Sequence, residues 1–203
     1  MEALPYWITK SYLVVDFEFT TYSGTYGRPR AFFPEIIEVG AVLMEPPEYR
    51  LDRTYQAFIK PRFFPRLTEA CKNIAIVKQS DIDNGIPAEE MLGVLAKMCV
   101  PGATYFVSWG EADREVLAEV CRRYGLNYPF AADAHVDLSQ EYRAFYKHPR
   151  RISLQHALEE RSIERLGFSH LALDDAKNTG QILLRMLADG WRPHELKANA
   201  ECG

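Results

Sequence analysis

The feature that most constrains this chain is a nearly continuous apolar run at residues 12–19, YLVVDFEF, which ends in two carboxylates. A short run of this kind is typical of a central strand that is buried on both faces. Successive side chains on a strand point to opposite faces, so Asp16 and Glu18 share one face. Two like charges at that spacing destabilise each other unless a cation lies between them. The pattern leaves two alternatives, a strand end that emerges into solvent or a cation-binding site.

Length and composition indicate one folded domain spanning residues 1–203, because apolar residues make up 47% of the chain and can fill one sizeable core. The net charge is −4. An acidic chain gains no long-range attraction to nucleic acid from its overall charge. To hold phosphates it would need a local basic surface or bound cations.

The sequence predicts no association with a membrane. No run approaches the roughly 18 apolar residues that span a bilayer, and the first residues, MEALPYWITKSY, lack the pattern of a signal peptide. The cysteines form no CxxC motif and no zinc-finger spacing, which favours a reducing, cytoplasmic setting. They are Cys71, Cys99, Cys121 and Cys202.

The order of predicted elements indicates one α/β domain with a mixed sheet and helices on both faces. Strands are predicted at residues 12–19, 35–44, 54–59, 103–109 and 134–138. Helices are predicted at residues 67–75, 87–98, 111–124, 139–146, 152–160 and 174–188, with Gly125 ending the third of them. Short connections between the first three strands suggest an antiparallel meander.

Further acidic residues follow the later elements. Asp113 lies in the first turn of the helix after the fourth strand, and Asp175 opens the last helix. Acidic residues favour helix N-termini through the helix dipole, so each has an ordinary explanation. Asp175, however, shares a helical stripe with Thr179, Ile182 and Met186, which points it inward, where a lone carboxylate is costly.

Together these acids predict a metal site. If the first and fourth strands are neighbours, Asp16, Glu18 and Asp113 meet at one strand end, and the last helix adds Asp175. Acids that converge without enough Lys or Arg to neutralise them call for a divalent cation, and oxygen ligands favour Mg²⁺ or Mn²⁺. His170 lies in the loop five residues before Asp175, where a lone histidine is usually a surface residue.

Three segments resemble the motifs of the DEDDh family of 3′–5′ exonucleases: VVDFEFT, WGEADREVL and HLALDDAKNTGQIL. The resemblance implies a ribonuclease H-like fold, with three antiparallel strands followed by two parallel ones. It implies two Mg²⁺ ions, for which Mn²⁺ can substitute, held by Asp16, Glu18, Asp113 and Asp175. His170 would be the general base, since an imidazole accepts a proton at neutral pH.

The segments FPEIIEVGAV and LTEACKNIAIVKQSDIDNGIPAEEML are similar to the Eri-1-like subgroup, which includes bacterial KapD-like proteins. That likeness implies release of nucleoside 5′-monophosphates from single-stranded 3′ ends, with RNA favoured over DNA. Phe17, Phe19 and Thr20 are the candidate substrate contacts, although the Thr20 hydroxyl would serve equally well to cap the loop. Glu38 is placed near the pocket on resemblance alone.

Two alternatives remain open at this point. A ribonuclease H-like domain can serve as a regulatory protein-binding module that inhibits a pathway, and a degenerate site would mark that class. A DNA-directed exonuclease of the proofreading type is the other. Two groups of basic residues could guide a nucleic acid backbone, although a solvated face is the ordinary explanation. They are Lys147, His148, Arg150 and Arg151, and Arg28 and Arg30 in the loop at residues 20–34.

One position departs from the RNA-trimming members of the family. They carry an aromatic residue just before the acid of the second motif, which stacks on the terminal base, and this chain has Ala112 there. We therefore predict weak selectivity for the terminal base. Initial rates on oligonucleotides that differ only in their 3′ nucleotide test this, and a strong preference for one base would contradict it.

Overall fold

A computed structural model of the chain describes residues 6–22, 24, 27–74 and 76–196, and it contains a five-stranded mixed sheet. The strands are β1 (Ser11–Phe19), β2 (Ile36–Met44), β3 (Thr54–Phe58), β4 (Thr104–Ser108) and β5 (His135–Asp137). Their order across the sheet is β3-β2-β1-β4-β5. The β1–β2 and β2–β3 pairs are antiparallel, whereas β4 pairs in parallel with β1 and with β5. The predicted meander, the central position of the first strand and its pairing with the fourth strand are confirmed.

Helices follow and alternate with the strands. They are α1 (Glu69–Ile74), α2 (Gln79–Asp83), α3 (Ala88–Met98), α4 (Ala112–Tyr124), α5 (Leu138–Phe145), α6 (Leu154–Glu160) and α7 (Ala172–Ala188), and a 3₁₀ turn covers Tyr6–Thr9. Gly125 ends α4 in a left-handed conformation with φ 69°, as predicted. No helix in the described part of the chain is long and apolar enough to cross a membrane.

The sequence prediction missed α2, which has five residues and only one buried side chain, Ile82. Asp81 supports this short helix by accepting the backbone N–H of Lys78 at 2.9 Å. Residue 75, the last of the predicted helix at 67–75, lies outside the described residues.

Side-chain alternation along β1 divides the core into two layers. Tyr12 and Val14 pack in a cluster with residues of α5, α6 and α7. Leu13 and Val15 pack on the opposite face, with residues of α3 and α4. The period-2 geometry of a strand then places Asp16 and Glu18 on the face that α7 covers. Helices therefore lie on both faces of the sheet, as predicted.

Gly40 allows α7 to approach the sheet at that point. It pairs with Asp16 in the β1–β2 register. A Cβ at position 40 would overlap the backbone of Ala172 and Leu173, which form the start of α7. The absence of a side chain at position 40 thus lets the first turn of α7, including Asp175, lie beside the end of β1.

We predict that Gly40→Ala displaces the start of α7, because a methyl group has no room there. Overpacking of this kind costs about 1–3 kcal/mol, occasionally more, and nuclease activity should fall with it. Gly93→Ala is the control, since position 93 lies on the exposed face of α3 with open space around it, and it should stabilise by about 0.5–1 kcal/mol. Denaturant unfolding of the two variants measures the difference. Equal stability for Gly40→Ala and the wild-type chain would contradict the prediction.

Candidate active site

The five acid and histidine positions predicted from the sequence line one cavity at the C-terminal end of β1. Its volume is about 550 Å³. Strand β1, the start of α4, the α6–α7 loop and the start of α7 each contribute to it. The residues are Asp16, Glu18, Asp113, His170 and Asp175.

Asp113 is positioned by the strand that carries the first two acids. Its carboxylate accepts the backbone N–H of Phe17 at 2.9 Å, and the side chain is buried. Burial raises the pKa of Asp113 to about 7, whereas the Phe17 amide acts in the opposite direction. The hydrogen bond locks the start of α4 onto the end of β1.

Asp175 positions the loop that carries His170. Its carboxylate accepts the backbone N–H of His170 at 2.8 Å. His170 adopts a left-handed backbone conformation with φ 63°, which is uncommon for a residue other than glycine. Its imidazole is half exposed, and Nδ1 lies 3.9 Å from a carboxylate oxygen of Glu18.

Acidic side chains lie close together in the cavity, where burial and their mutual repulsion raise carboxyl pKa values. Burial raises the pKa of Asp16 well above its ordinary range. Four neighbouring carboxylates raise it further: Asp113, Asp175, Glu18 and Glu38. Burial, followed by the charge of Glu38, raises the pKa of Glu18 to about 8. The acids therefore need a cation in order to ionise together.

The donor set fits a divalent cation. Within the described ranges, Glu18, His170 and Asp175 each offer a ligand atom, and these atoms lie within 4.8 Å of one another. Asp16 and Asp113 lie outside this tight group but line the same cavity. Mg²⁺ and Mn²⁺ prefer oxygen ligands such as carboxylates, and either ion would neutralise the excess negative charge of these acids.

Arg165 is a site residue that the sequence reasoning missed. It lines the cavity and forms an ion pair with Asp175. Its Nε is buried and finds no hydrogen-bond acceptor among the residues described. The guanidinium thus supplies one positive charge to the four acids. No motif marks Arg165, because its role depends on where the α6–α7 loop lies.

That loop is held against α7 by two side chains of the helix. Asp174 accepts the backbone N–H of Phe168 at 2.9 Å. Asn178 accepts the N–H of Leu166 at 2.9 Å and donates to its carbonyl at 2.8 Å. Asp174 therefore holds the α6–α7 loop in place, whereas the neighbouring Asp175 lines the cavity.

The three predicted substrate contacts differ in their placement. Phe19 lines the cavity and is partly exposed. Phe17 also lines the cavity, although its ring is buried in the core on the α3–α4 side and its backbone N–H binds Asp113. Thr20 is buried, and its hydroxyl accepts the N–H of Glu35 at 2.9 Å. The Thr20 hydroxyl is thus engaged within the loop, as the capping alternative expects, and substrate contacts by Phe17 and Thr20 stay predictions.

Two further residues line the cavity near the second motif. Ala112 contributes only a methyl group. Trp109 lines the cavity and also packs edge-on against Tyr142, with ring centroids 5.8 Å apart. The indole is therefore both a packing residue and an available ring surface. Glu38, by contrast, is fully buried and hydrogen-bonded to Gln56 at 2.7 Å.

A ribonuclease H-like sheet that gathers four carboxylates and a histidine at one strand end defines a nuclease of the DEDDh type. The family model described as Exonuclease (RNase_T) matches residues 13–183, and the chain belongs to this family. It is a 3′–5′ exonuclease, and the intact set of acids does not support the alternative of a degenerate binding module.

Several relatives agree with this class. The chain is 35% identical to "Probable 3′-5′ exonuclease KapD" of Bacillus subtilis, over 83% of this chain and 80% of that one. It is 32% identical to mouse "ERI1 exoribonuclease 2", over 88% of this chain and 28% of that longer protein. The solved nuclease domain of 3′hExo, a DEDDh family member, is similar with a TM-score of 0.81 at 28% identity, covering 93% of this chain and 98% of that one.

We predict that the metal-free protein loses stability as pH rises. The folded-state pKa of Glu18, about 8, lies above its ordinary value of 4.5. Between these values the folded chain binds a proton that the unfolded chain releases, so the free energy of unfolding falls with increasing pH. Mg²⁺ or Mn²⁺ should stabilise more strongly at high pH, since it binds the ionised carboxylates.

Thermal unfolding in EDTA across this pH window measures the slope. Glu18→Gln should make the slope shallower, whereas Glu115→Gln, on the exposed side of α4, should leave it unchanged. A Glu18→Gln slope equal to that of the wild-type chain would show that this carboxyl does not titrate as described.

Proposed function

We propose that this exonuclease removes nucleoside 5′-monophosphates from the 3′ ends of single-stranded RNA, with two Mg²⁺ ions and His170 as general base. The observation that carries the proposal is the convergence of four carboxylates in one cavity, where burial and then neighbouring negative charge raise the pKa of Glu18 to about 8. Mn²⁺ would substitute for Mg²⁺, and DNA would be the weaker substrate.

The names of relatives support RNA as the substrate class. The solved 3′hExo nuclease domain is described as bound to rAMP. A second neighbour, at 26% identity and a TM-score of 0.79, is described as a 3′-exonuclease that recognises a histone mRNA stem-loop. A nucleoside monophosphate bound to the nuclease domain of a relative agrees with release of such products here.

The metal assignment follows from the donor chemistry. Asp16, Glu18, Asp113 and Asp175 would hold the ions. When bound, these ions would lower the pKa of an attacking water and neutralise charge on the phosphodiester. Arg165 would leave its ion pair with Asp175 as that carboxylate becomes a ligand, which frees the guanidinium to contact a phosphate oxygen.

The chain's own residues then orient the reaction. His170 would take the proton of the attacking water, because its imidazole is exposed to the cavity while its backbone is fixed by Asp175. Asp113, held by the Phe17 amide, would keep the start of α4 in place during turnover. Phe19 and Trp109 would offer ring surface to the terminal base in a site where Ala112 offers none.

A digest of end-labelled oligonucleotides tests polarity, product, sugar preference and metal need together. RNA and DNA of one sequence, labelled at either end, are incubated with Mg²⁺, Mn²⁺ or EDTA. We expect the 3′ label to leave as a mononucleotide, the 5′ label to give a ladder, RNA to be consumed faster and EDTA to stop the reaction. Asp16→Asn should abolish activity and Asp52→Asn, at the β2–β3 turn, should not. Cleavage from the 5′ end, or full activity of Asp16→Asn, would refute the proposal.

We predict that His170→Ala lowers kcat by about 10²–10⁴-fold if His170 is the general base. The wild-type rate at saturating metal should rise with pH through the neutral range, where an imidazole loses its proton and becomes able to accept one. The variant should lack that rise. Identical pH profiles for the two proteins would remove His170 from the chemistry.

A further inference from the structure

A continuous set of aromatic rings leads away from the mouth of the cavity. Thr21 lines the cavity, and Tyr22 follows it in the chain. The rings contact one another in sequence, with centroids between 4.7 and 5.8 Å apart. We call this set the aromatic platform: Tyr22, Phe32, Phe64, Phe33, Phe63 and Tyr124. Its members come from the β1–β2 loop, the segment after β3 and the end of α4.

Buried Glu35 holds the platform in place. Its carboxylate accepts the backbone N–H groups of Arg62 at 2.8 Å, Phe63 at 3.0 Å and Phe64 at 2.6 Å. The Tyr124 hydroxyl donates to the same carboxylate. A fully buried acid that satisfies three amides and a phenol fixes that part of the surface rigidly.

The same residue ties the platform to the catalytic strand. The Glu35 N–H donates to the Thr20 hydroxyl at 2.9 Å, and the Thr20 N–H donates to the Glu35 carbonyl at 2.8 Å. Thr20 directly follows β1, which carries Asp16 and Glu18. The platform therefore has a fixed position relative to the cavity.

Arginines lie over the platform rings. The guanidinium carbon of Arg28 is 5.0 Å from the Phe32 centroid, that of Arg62 is 4.3 Å from Tyr124, and that of Arg123 is 4.8 Å from Phe33. Arg62 pairs with Glu89, and Arg123 pairs with Glu119. Within the described ranges Arg28, Arg30 and Arg66 form no ion pair, and all three are exposed.

Two of the other basic candidates are used within the fold, whereas Lys147 and Arg150 are exposed and form no ion pair among the described residues. Arg151 pairs with Asp137 at 2.7 Å. His148 stacks on Tyr142 and lies 3.0 Å from Glu160. The platform combines one exposed ring, Phe63, and several partly exposed rings with arginines that form no ion pair among the described residues, in a chain whose net charge is −4.

We propose that the aromatic platform binds the nucleotides upstream of the scissile 3′ end of a single-stranded nucleic acid. Bases would stack on exposed rings such as Phe63, which is 55% exposed, and Arg28, Arg30 and Arg66 would contact phosphates. The proposal rests on the proposed function, because the strand's 3′ end must enter the cavity. Stacking on the platform would not depend on the identity of the base. It would occur away from position 112, where Ala112 stands in place of the stacking aromatic residue of the relatives.

Substrate length separates the platform from the cavity. A strand of about 3 nucleotides fills the cavity, whereas one of about 15 nucleotides also crosses the platform. Phe63→Ala should raise KM on the long strand by about 5-fold or more, the lower end of the effect of one lost base–aromatic stack. KM on the short strand and kcat on both should stay within twofold. Phe63→Tyr, which keeps the ring, should behave like the wild-type chain.

Salt dependence tests the arginines. Arg28→Ala should lower the slope of log KM against log salt concentration by about 0.7 on the long strand, as expected for one lost phosphate contact on a single strand. Val100→Ala and Arg50→Ala are controls for an exposed apolar residue and a cation, since both positions lie near the opposite end of the sheet.

Three outcomes overturn the platform proposal. They are an unchanged KM for Phe63→Ala on the long strand, an equal increase on short and long strands, and an equal effect of the controls. Each leaves the proposed function standing as long as the wild-type chain degrades the short strand. A wild-type chain that degrades neither strand refutes the proposed function itself.

Discussion

The repulsion between the buried and partly buried carboxylates at the end of β1 is the constraint on which the site depends. Asp16, Glu18, Asp113 and Asp175 come from three elements that only the tertiary fold brings together. Burial and mutual charge raise the pKa of Asp16 and Glu18. Such a site is costly for the metal-free chain, and it becomes favourable when cations enter. The electrostatic repulsion that lowers the stability of the metal-free chain thus gives the site its affinity for cations.

The rest of the structure supplies the tethers that resist this repulsion. The Phe17 amide holds Asp113, and the His170 amide holds Asp175. Gly40 allows α7 to lie directly on the sheet. The platform is joined to the same strand end through Glu35, so a substrate held there is aligned with the acids. The proposed binding platform and the acids Asp16 and Glu18 are therefore both anchored to β1.

Much of this could be predicted from local patterns. The alternation of side chains placed Asp16 and Glu18 on one face, and the helical stripe turned Asp175 inward; both follow from backbone geometry alone. The contribution of Arg165 and the tethering role of Glu35 could not be predicted, because each depends on contacts between segments distant in the chain. Thr20 was ambiguous for the same reason, since its partner lies across the loop.

The central claim is that the clustered acids bind divalent cations, and the most direct measurement is a titration of the protein with Mn²⁺ followed by electron paramagnetic resonance. The account predicts saturable binding by the wild-type chain, retained in Asp52→Asn and largely lost in both Asp16→Asn and Asp175→Asn. Binding in those two variants that equals the wild-type value would show that the carboxylates at the end of β1 do not form the metal site.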